Sequence, residues 1–527
     1  MTARTLTLGG ATYPLILPNL RDPRLHVAAV IITIHVLGQV GLGFRVTIPQ
    51  VLAAIVTSAI LEIAITFRQS RAFVWPASAM LTGSGVALIM RVVGTPPDDP
   101  WNTYAWFVFA AVAGLSLLSK YVIRYRGSHV FNPSNIGLVV AFVVLGSARA
   151  EPLDFWWAPL NAWLLAAYAA ITVGGILITR RLRLLGLAAA FWITLAAGLG
   201  VLAASGHCMT ARWAFAPVCG ADYWRVIVTS PEVLIFLFFM ITDPKTVPTG
   251  AVGRIVFGVL VALTSTLLMA PQTDEFGTKV ALLSGLVAVC AVRPLLDRVL
   301  PVPGSAGDHP SRLAIRLVRG DPAAGFARGT AGVALTGAAV LGIGAGVVVA
   351  GIPARGVIAY NAAEVLGRVP YQVDPATLPA ITVDVDAWDE TMAVPIAQEI
   401  LLALAEDLEL ENQALLRRDG SILPAADHGD RLEEMERRLA EARASGRTTI
   451  ARYTFDSVHV VVIAPFGVQT GGSIGLQSRG TLTEETYDAS GALVDRRSEP
   501  FEQTFAMRRP TGDRWLIVGA FPNGADG

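Results

Sequence analysis

Residues 48–67 read IPQVLAAIVTSAILEIAITF and residues 68–71 read RQSR, so one apolar run carrying a single charge, Glu62, is closed by two arginines. A helix rises about 1.5 Å per residue, and twenty such residues match the roughly 30 Å hydrocarbon core of a bilayer. The composition repeats the pattern across the chain, with 53% hydrophobic and 16% charged residues and a mean hydropathy of +0.54. That is too apolar and too sparsely charged for an ordinary soluble domain. Lysines and arginines number 41 and acidic residues 41, for a net charge of zero. With no basic stripe interleaved with aromatics, nucleic acid is excluded as a partner, and the lipid bilayer is the expected one.

Working outward, the same template recurs near 26–44, 48–67, 73–94, 103–122, 134–148, 157–178, 184–204, 225–242, 254–270, 278–296 and 329–353, about eleven spans. The first run contains His35 and Gln39 and lacks a small-residue cleavage site, so it reads as a retained span and not a signal peptide. Gly83, Ser84 and Gly85 interrupt the third; they are either close helix packing or a broken helix lining a cavity.

Lysines and arginines in short loops stay with the cytoplasm. Basic residues cluster at the N-terminus, at Arg68 and Arg71, at Lys120, Arg124 and Arg126, at Arg180, Arg181 and Arg183, at Lys245 with Arg254, and from Arg298 to Arg328. The loops between are poor in them. The expected topology is therefore multi-pass with a cytoplasmic N-terminus and an extracytoplasmic C-terminal domain. The expected organisation is a cytoplasmic segment 1–25, a ten-span domain 26–298, a basic cytoplasmic linker 299–328, an eleventh span 329–353 and an outer domain 354–527. Cys208 and Cys219 share one outer loop, where either a disulfide or two thiols can exist. Zinc binding with His207 lacks the usual ligand spacing.

Residues 354–527 are more polar. Apolar spacing predicts helices over Ile396–Arg418 and Asp430–Ala444, then strands at Thr449–Phe455, Ser457–Ala464, Ser473–Tyr487, Phe501–Arg508 and Arg514–Gly519. Two helices followed by an antiparallel sheet make an α+β domain, loosely similar to NTF2-like or cystatin-like curved sheets. The fold class is thus an all-α polytopic membrane bundle with a C-terminal α+β soluble domain.

Two stretches concentrate polar residues against apolar spans: Lys120–Asn135, and Asp243-Pro244-Lys245-Thr246 through Arg254. The charge rule puts both on one face, so they can converge on one site. The plainer reading makes Arg124, Arg126 and Lys245 headgroup anchors and Asn132 and Asp243 helix caps. Glu62 and Glu232 fall at or near membrane depth, where a charge is costly, and are candidates for intramembrane ion or proton handling. Glu232, early in its span, can instead sit at the outer interface. His35 is a possible relay, or a histidine hydrogen-bonded to a neighbouring helix.

Through Ser119-Lys120-Tyr121, His129-Val130-Phe131-Asn132-Pro133, and Phe239-Met240-Ile241-Thr242-Asp243-Pro244 with Gly253-Arg254 and Phe257-Gly258, residues 25–298 resemble the RnfD/NqrB family of membrane electron-transport subunits. The nearest branch is the UnbU type, named from enediyne biosynthesis clusters. The resemblance implies ten spans in two inverted five-helix halves, similar to urea transporters, in a bacterial cytoplasmic membrane. It also implies flavin-dependent electron transfer coupled to ion movement, and partner redox or biosynthetic subunits. The chain would then be at most a non-catalytic or flavin-carrying subunit of an oxidoreductase complex. The family's Ser-Gly-Ala-Thr-type motif for covalent flavin is not found in residues 134–230, which leaves noncovalent flavin mononucleotide, a quinone or no cofactor. For a phosphate-bearing cofactor, Arg124, His129, Lys245 and Arg254 would supply charge and Asn132, Asp243 and Thr246 polar contacts. The rivals are a non-redox small-solute or ion transporter on the same fold, and a membrane-anchored adaptor acting through its outer domain.

Overall fold

The computed structural model describes residues 2–8, 10–96, 99–147, 149–153, 162–211, 218–305, 307–319, 329–351, 362–371, 373–383, 394–463, 473–509 and 514–523. They form two compact units: Met1–Trp156 with Leu160–His207 and Cys219–Arg355, and Gly356–Gly527 with Trp157–Pro159 and Cys208–Val218.

The first unit is helical and apolar. Its elements begin with a hairpin, β1 (Thr2–Leu8) and β2 (Ala11–Leu17), within the segment 1–25 for which no secondary structure was expected. Then come α1 (Pro23–Gly41), α2 (Ile48–Ser70), β3 (Phe73–Val74), α3 (Ala77–Ile89), β4 (Met90–Val92) and α4 (Trp106–Val122). The hairpin β5 (Arg124–Tyr125) and β6 (Ser128–His129) leads into α5 (Pro133–Leu145) and β7 (Ala150–Pro152). α6 (Ala162–Arg181) and α7 (Leu185–Ala204) are followed in the chain by the short strands β8 (Cys208–Met209) and β9 (Val218–Cys219), which apart from Cys219 belong to the second unit, and then by α8 (Gly220–Thr229). Next are α9 (Pro231–Ile235), continued by a π-helical turn Phe236–Met240, then α10 (Ala251–Met269), α11 (Glu275–Val299), α12 (Pro310–Arg319) and α13 (Thr330–Gly351).

Among the described residues, eight helical segments are long and apolar enough to cross a membrane, α8, α9 and the π turn counting as one. They mark the unit as membrane-embedded. The expected spans at 73–94, 103–122 and 134–148 are shorter apolar helices, α3, α4 and α5. At 13 residues, α3 and α5 cover only about 20 Å. Each then turns extended, and β4 pairs antiparallel with β7 in the register Arg91↔Glu151. Both three-residue strands are fully buried, so these are helices completed by buried extended backbone. The expected eighth span is also broken: Pro231 has no N–H to continue α8, and Ser230 turns extended and caps the restart by accepting from Val233 N at 3.2 Å.

The glycines at 83 and 85 do not break α3. A Cβ on Gly83 would collide with the backbone carbonyl of Ala54, so this residue lets α3 lie directly on α2. Gly83→Ala should therefore push the two helices apart and lower stability by roughly 1–3 kcal/mol; thermal unfolding in detergent reads this, and an unshifted midpoint would refute the close packing.

In the second unit, α14 (Ala362–Leu366), β10 (Ile381–Val383), α15 (Val394–Arg417) and α16 (Asp430–Ser445) precede β11 (Thr448–Ile463), β12 (Ser473–Tyr487), β13 (Leu493–Arg508) and β14 (Leu516–Pro522). The five strands lie in the order β10-β11-β12-β13-β14, β10 parallel and the others antiparallel. Ile400, Leu401 and Leu404 of α15 pack on Val460, Leu476 and Phe505. The strands expected at 449–455 and 457–464 are one strand, its register shifting between Phe455 and Ser457 as a bulge does. β13 starts at Leu493, not Phe501, because residues 493–500 are exposed on both faces and show no alternation.

Candidate functional site

The two polar stretches do converge. Asn132 caps α5: its Oδ1 accepts from Asn135 N and Ser134 Oγ, and Pro133 occupies the first turn, where no amide donor is needed. Its Nδ2 then donates to the carbonyl of Met240 at 3.1 Å, the last residue of the π turn. Such turns recur at functional sites because they leave the backbone ladder irregular. His129 arrives from a hairpin whose tight turn uses positive φ at Arg126 and Gly127, and its Nε2 lies 2.9 Å from Asp243 Oδ2. Asp243 Oδ1 accepts from Lys245 N at 3.0 Å, and its carbonyl accepts from Thr246 Oγ1 at 3.0 Å.

Arg293, one charge in an otherwise apolar run, donates to the Lys245 carbonyl at 2.7 Å, and Asn135 Nδ2 donates to Leu283 O at 3.0 Å. Asn135 closes the first polar stretch singled out in the sequence, whereas Arg293 did not stand out there. Arg124 faces His129 across the hairpin and turns its guanidinium to the Gly127 carbonyl. Arg254 serves elsewhere, donating to Pro248 O and Arg183 O. Asn132, Asp243 and Thr246 are thus engaged by the protein itself, a junction more than a cradle for a ring. Lys245 and Arg124 remain exposed and charged.

Among the described residues, charges buried in the helical unit occur in pairs or threes. Lys120 Nζ reaches Glu62 Oε1 at 2.7 Å and Ser78 Oγ at 3.1 Å, with Tyr121 OH 3.4 Å from the same carboxylate. Glu232, in the first turn of α9, lies 3.1 Å from Lys279 Nζ, which also holds Glu275 at 2.6 Å. Arg91 and Glu151, each 7% exposed, form an ion pair across β4 and β7. Arg91 sat inside an expected span and Glu151 in an expected outer loop; nothing local in the sequence joins them. His35 Nε2 lies 3.3 Å from Ser84 Oγ, a contact between helices. No cluster of three metal-ligating side chains occurs among the described residues.

Cys208 and Cys219 are disulfide-bonded and Cys290 is free, so with three cysteines in the chain the first two bond each other. Maleimide labelling of denatured protein should capture one thiol before reduction and three after; three before reduction would remove the bridge.

The second unit holds a cavity of about 880 Å³ between α15 and β11, floored by Leu408, Tyr453 and Phe455 and rimmed by Glu409 and Arg452, which pair at 3.4 Å. Behind it lies a buried acid–base cluster. Arg431 clamps Glu411 with two 2.7 Å bonds, Arg514 holds Asp407 at 2.7 Å, and Asp427 is 1% exposed. No protein-family model matches this sequence, and no curated protein matches it.

Proposed function

We propose that this chain is the membrane subunit of a redox-linked, ion-translocating assembly, built as two inverted five-helix halves. The observation that carries the reading is the set of buried ion pairs at breaks in the spans: Arg91–Glu151 between two helices finished by strands, and Glu232–Lys279 where α9 restarts. Ionisable groups at such depth are expensive, and discontinuous helices are where transport folds place their sites. The packing order supports the repeat. α2 packs on α3 and α4, and α4 on α5; likewise α7 packs on α8 and α10, and α10 on α11. α1 lies on α3 as α6 lies on α9, while α1 meets α6 and α5 meets α11, as two-fold mates would. Basic loops favour a cytoplasmic N-terminus and an outer C-terminal unit.

The redox half of the reading rests on the Lys120–Pro133 and Phe239–Arg254 resemblance and on the convergence of those stretches at His129–Asp243. A flavin or quinone would lie beside the junction, with Lys245 and Arg124 available to a phosphate. One observation favours the rival, a non-redox transporter: Asn132, Asp243 and Thr246 already bond one another's backbone and neighbours. Detergent-purified protein is expected to show flavin-type visible absorption and, in liposomes, to move protons or sodium. A colourless protein that carries a solute would transfer the assignment to the rival, and an inert one in both assays would end it.

A further inference from the structure

We infer that α12 lies flat in the headgroup layer, its basic stripe on anionic phospholipid. Residues 310–319 read PSRLAIRLVR, and past Ser311 every residue is either arginine or aliphatic. In the helix they form, Arg312, Arg316 and Arg319 stand at i, i+4 and i+7, one narrow stripe, and the remaining arc is aliphatic. That segregation in a short helix of low overall hydrophobicity is the pattern of a segment lying in an interface and not crossing it.

Three structural facts place the helix there. Asp308, two residues before it, accepts from Val252 N at 3.0 Å and from Gly304 N at 3.0 Å, fastening the chain to the first turn of α10. That first turn is one end of a membrane-length helix. The segment is also bounded by α11 and α13, both long enough to span. Finally, Ile315, within that aliphatic arc, is 51% exposed. An aliphatic arc held at the bilayer's edge belongs in acyl chains, and the arginine stripe beside it meets phosphate. Charge complementarity selects the anionic lipid: three arginines on one stripe gain from a negative surface and lose that gain as salt screens it.

The full chain with Cys290→Ser, carrying a nitroxide at Leu317→Cys or at Arg316→Cys, is reconstituted in phosphatidylethanolamine vesicles containing phosphatidylglycerol. Power saturation should show the label at 317 several-fold more accessible to oxygen than to a water-soluble nickel chelate, and the label at 316 the reverse. In phosphatidylcholine vesicles at high salt the contrast should fall at least twofold. Both labels equally open to the chelate would place the helix in water, and both closed to both reagents would place it against protein; either overturns the inference. An equal contrast in neutral vesicles would remove the role of anionic lipid. Leu313→Cys and Arg312→Cys repeat the comparison one turn earlier, should either first variant fold poorly.

Discussion

Arg431→Met is expected to lower the stability of the C-terminal unit by roughly 3–5 kcal/mol, the usual cost of stripping one partner from a buried ion pair. Its guanidinium bonds both oxygens of Glu411, and the two side chains are 6% and 4% exposed. Without it, Glu411 would stay buried facing Asp427, a second carboxyl out of water. Burial, and then the nearby Glu411, push the Asp427 carboxyl well above its ordinary range, which favours its protonated form in the folded unit. The sign of the linkage follows. A carboxyl raised by folding stabilises the fold fully below its unfolded value, and that contribution is lost as pH climbs through the folded value. Calorimetry of the detergent-solubilised chain should therefore show this unit's transition falling as pH rises from the ordinary carboxylate range, and Asp427→Asn, which keeps the side chain's size but cannot titrate, should flatten that slope. Equal slopes in the two proteins would clear Asp427 of the role.

The second large effect is expected at Arg91–Glu151. Arg91→Gln or Glu151→Gln alone should each cost about 3–5 kcal/mol, because the remaining ion is left inside the bundle without its counter-charge. The double variant should recover much of the loss, a coupling that a double-mutant cycle on thermal unfolding measures directly. Strictly additive losses would mean that the two side chains do not support each other. The same variant tests the functional reading: if the double variant folds as well as the wild type yet moves no ion in liposomes, the pair belongs to translocation and not merely to assembly.

Much of this architecture can be read from local sequence, and what cannot has a common cause. Ile48–Phe67 is legible because one run satisfies the length criterion by itself, and α15 and α16 because their apolar residues repeat at helical spacing. The convergence of His129 with Asp243 was legible only through the charge rule, which placed both loops on one face without giving a contact. The end of α3 was not legible: Met90–Val92 carries Arg91 inside an apolar run expected to continue to residue 94, Ala150–Pro152 fell in an expected loop, and only their pairing, sixty residues apart, makes them strands. Arg293 escaped notice because a polar side chain that reaches a distant carbonyl leaves no periodic trace. The outer half of β13 was hidden for the opposite reason, since Arg496 and Arg497 pair with Glu485 and Glu484 across the sheet and expose both faces.

The N-terminal hairpin also restricts how the chain can thread. β2 lies parallel to β3, with Leu15 opposite Phe73 and Ile16 opposite Val74, although α1 and α2 intervene. Backbone strands cannot bond through a bilayer, so the chain must leave and return an even number of times between those residues. If the first two helices cross, they must do so as a there-and-back pair, since a threading in which just one of them crosses would forfeit that strand pairing.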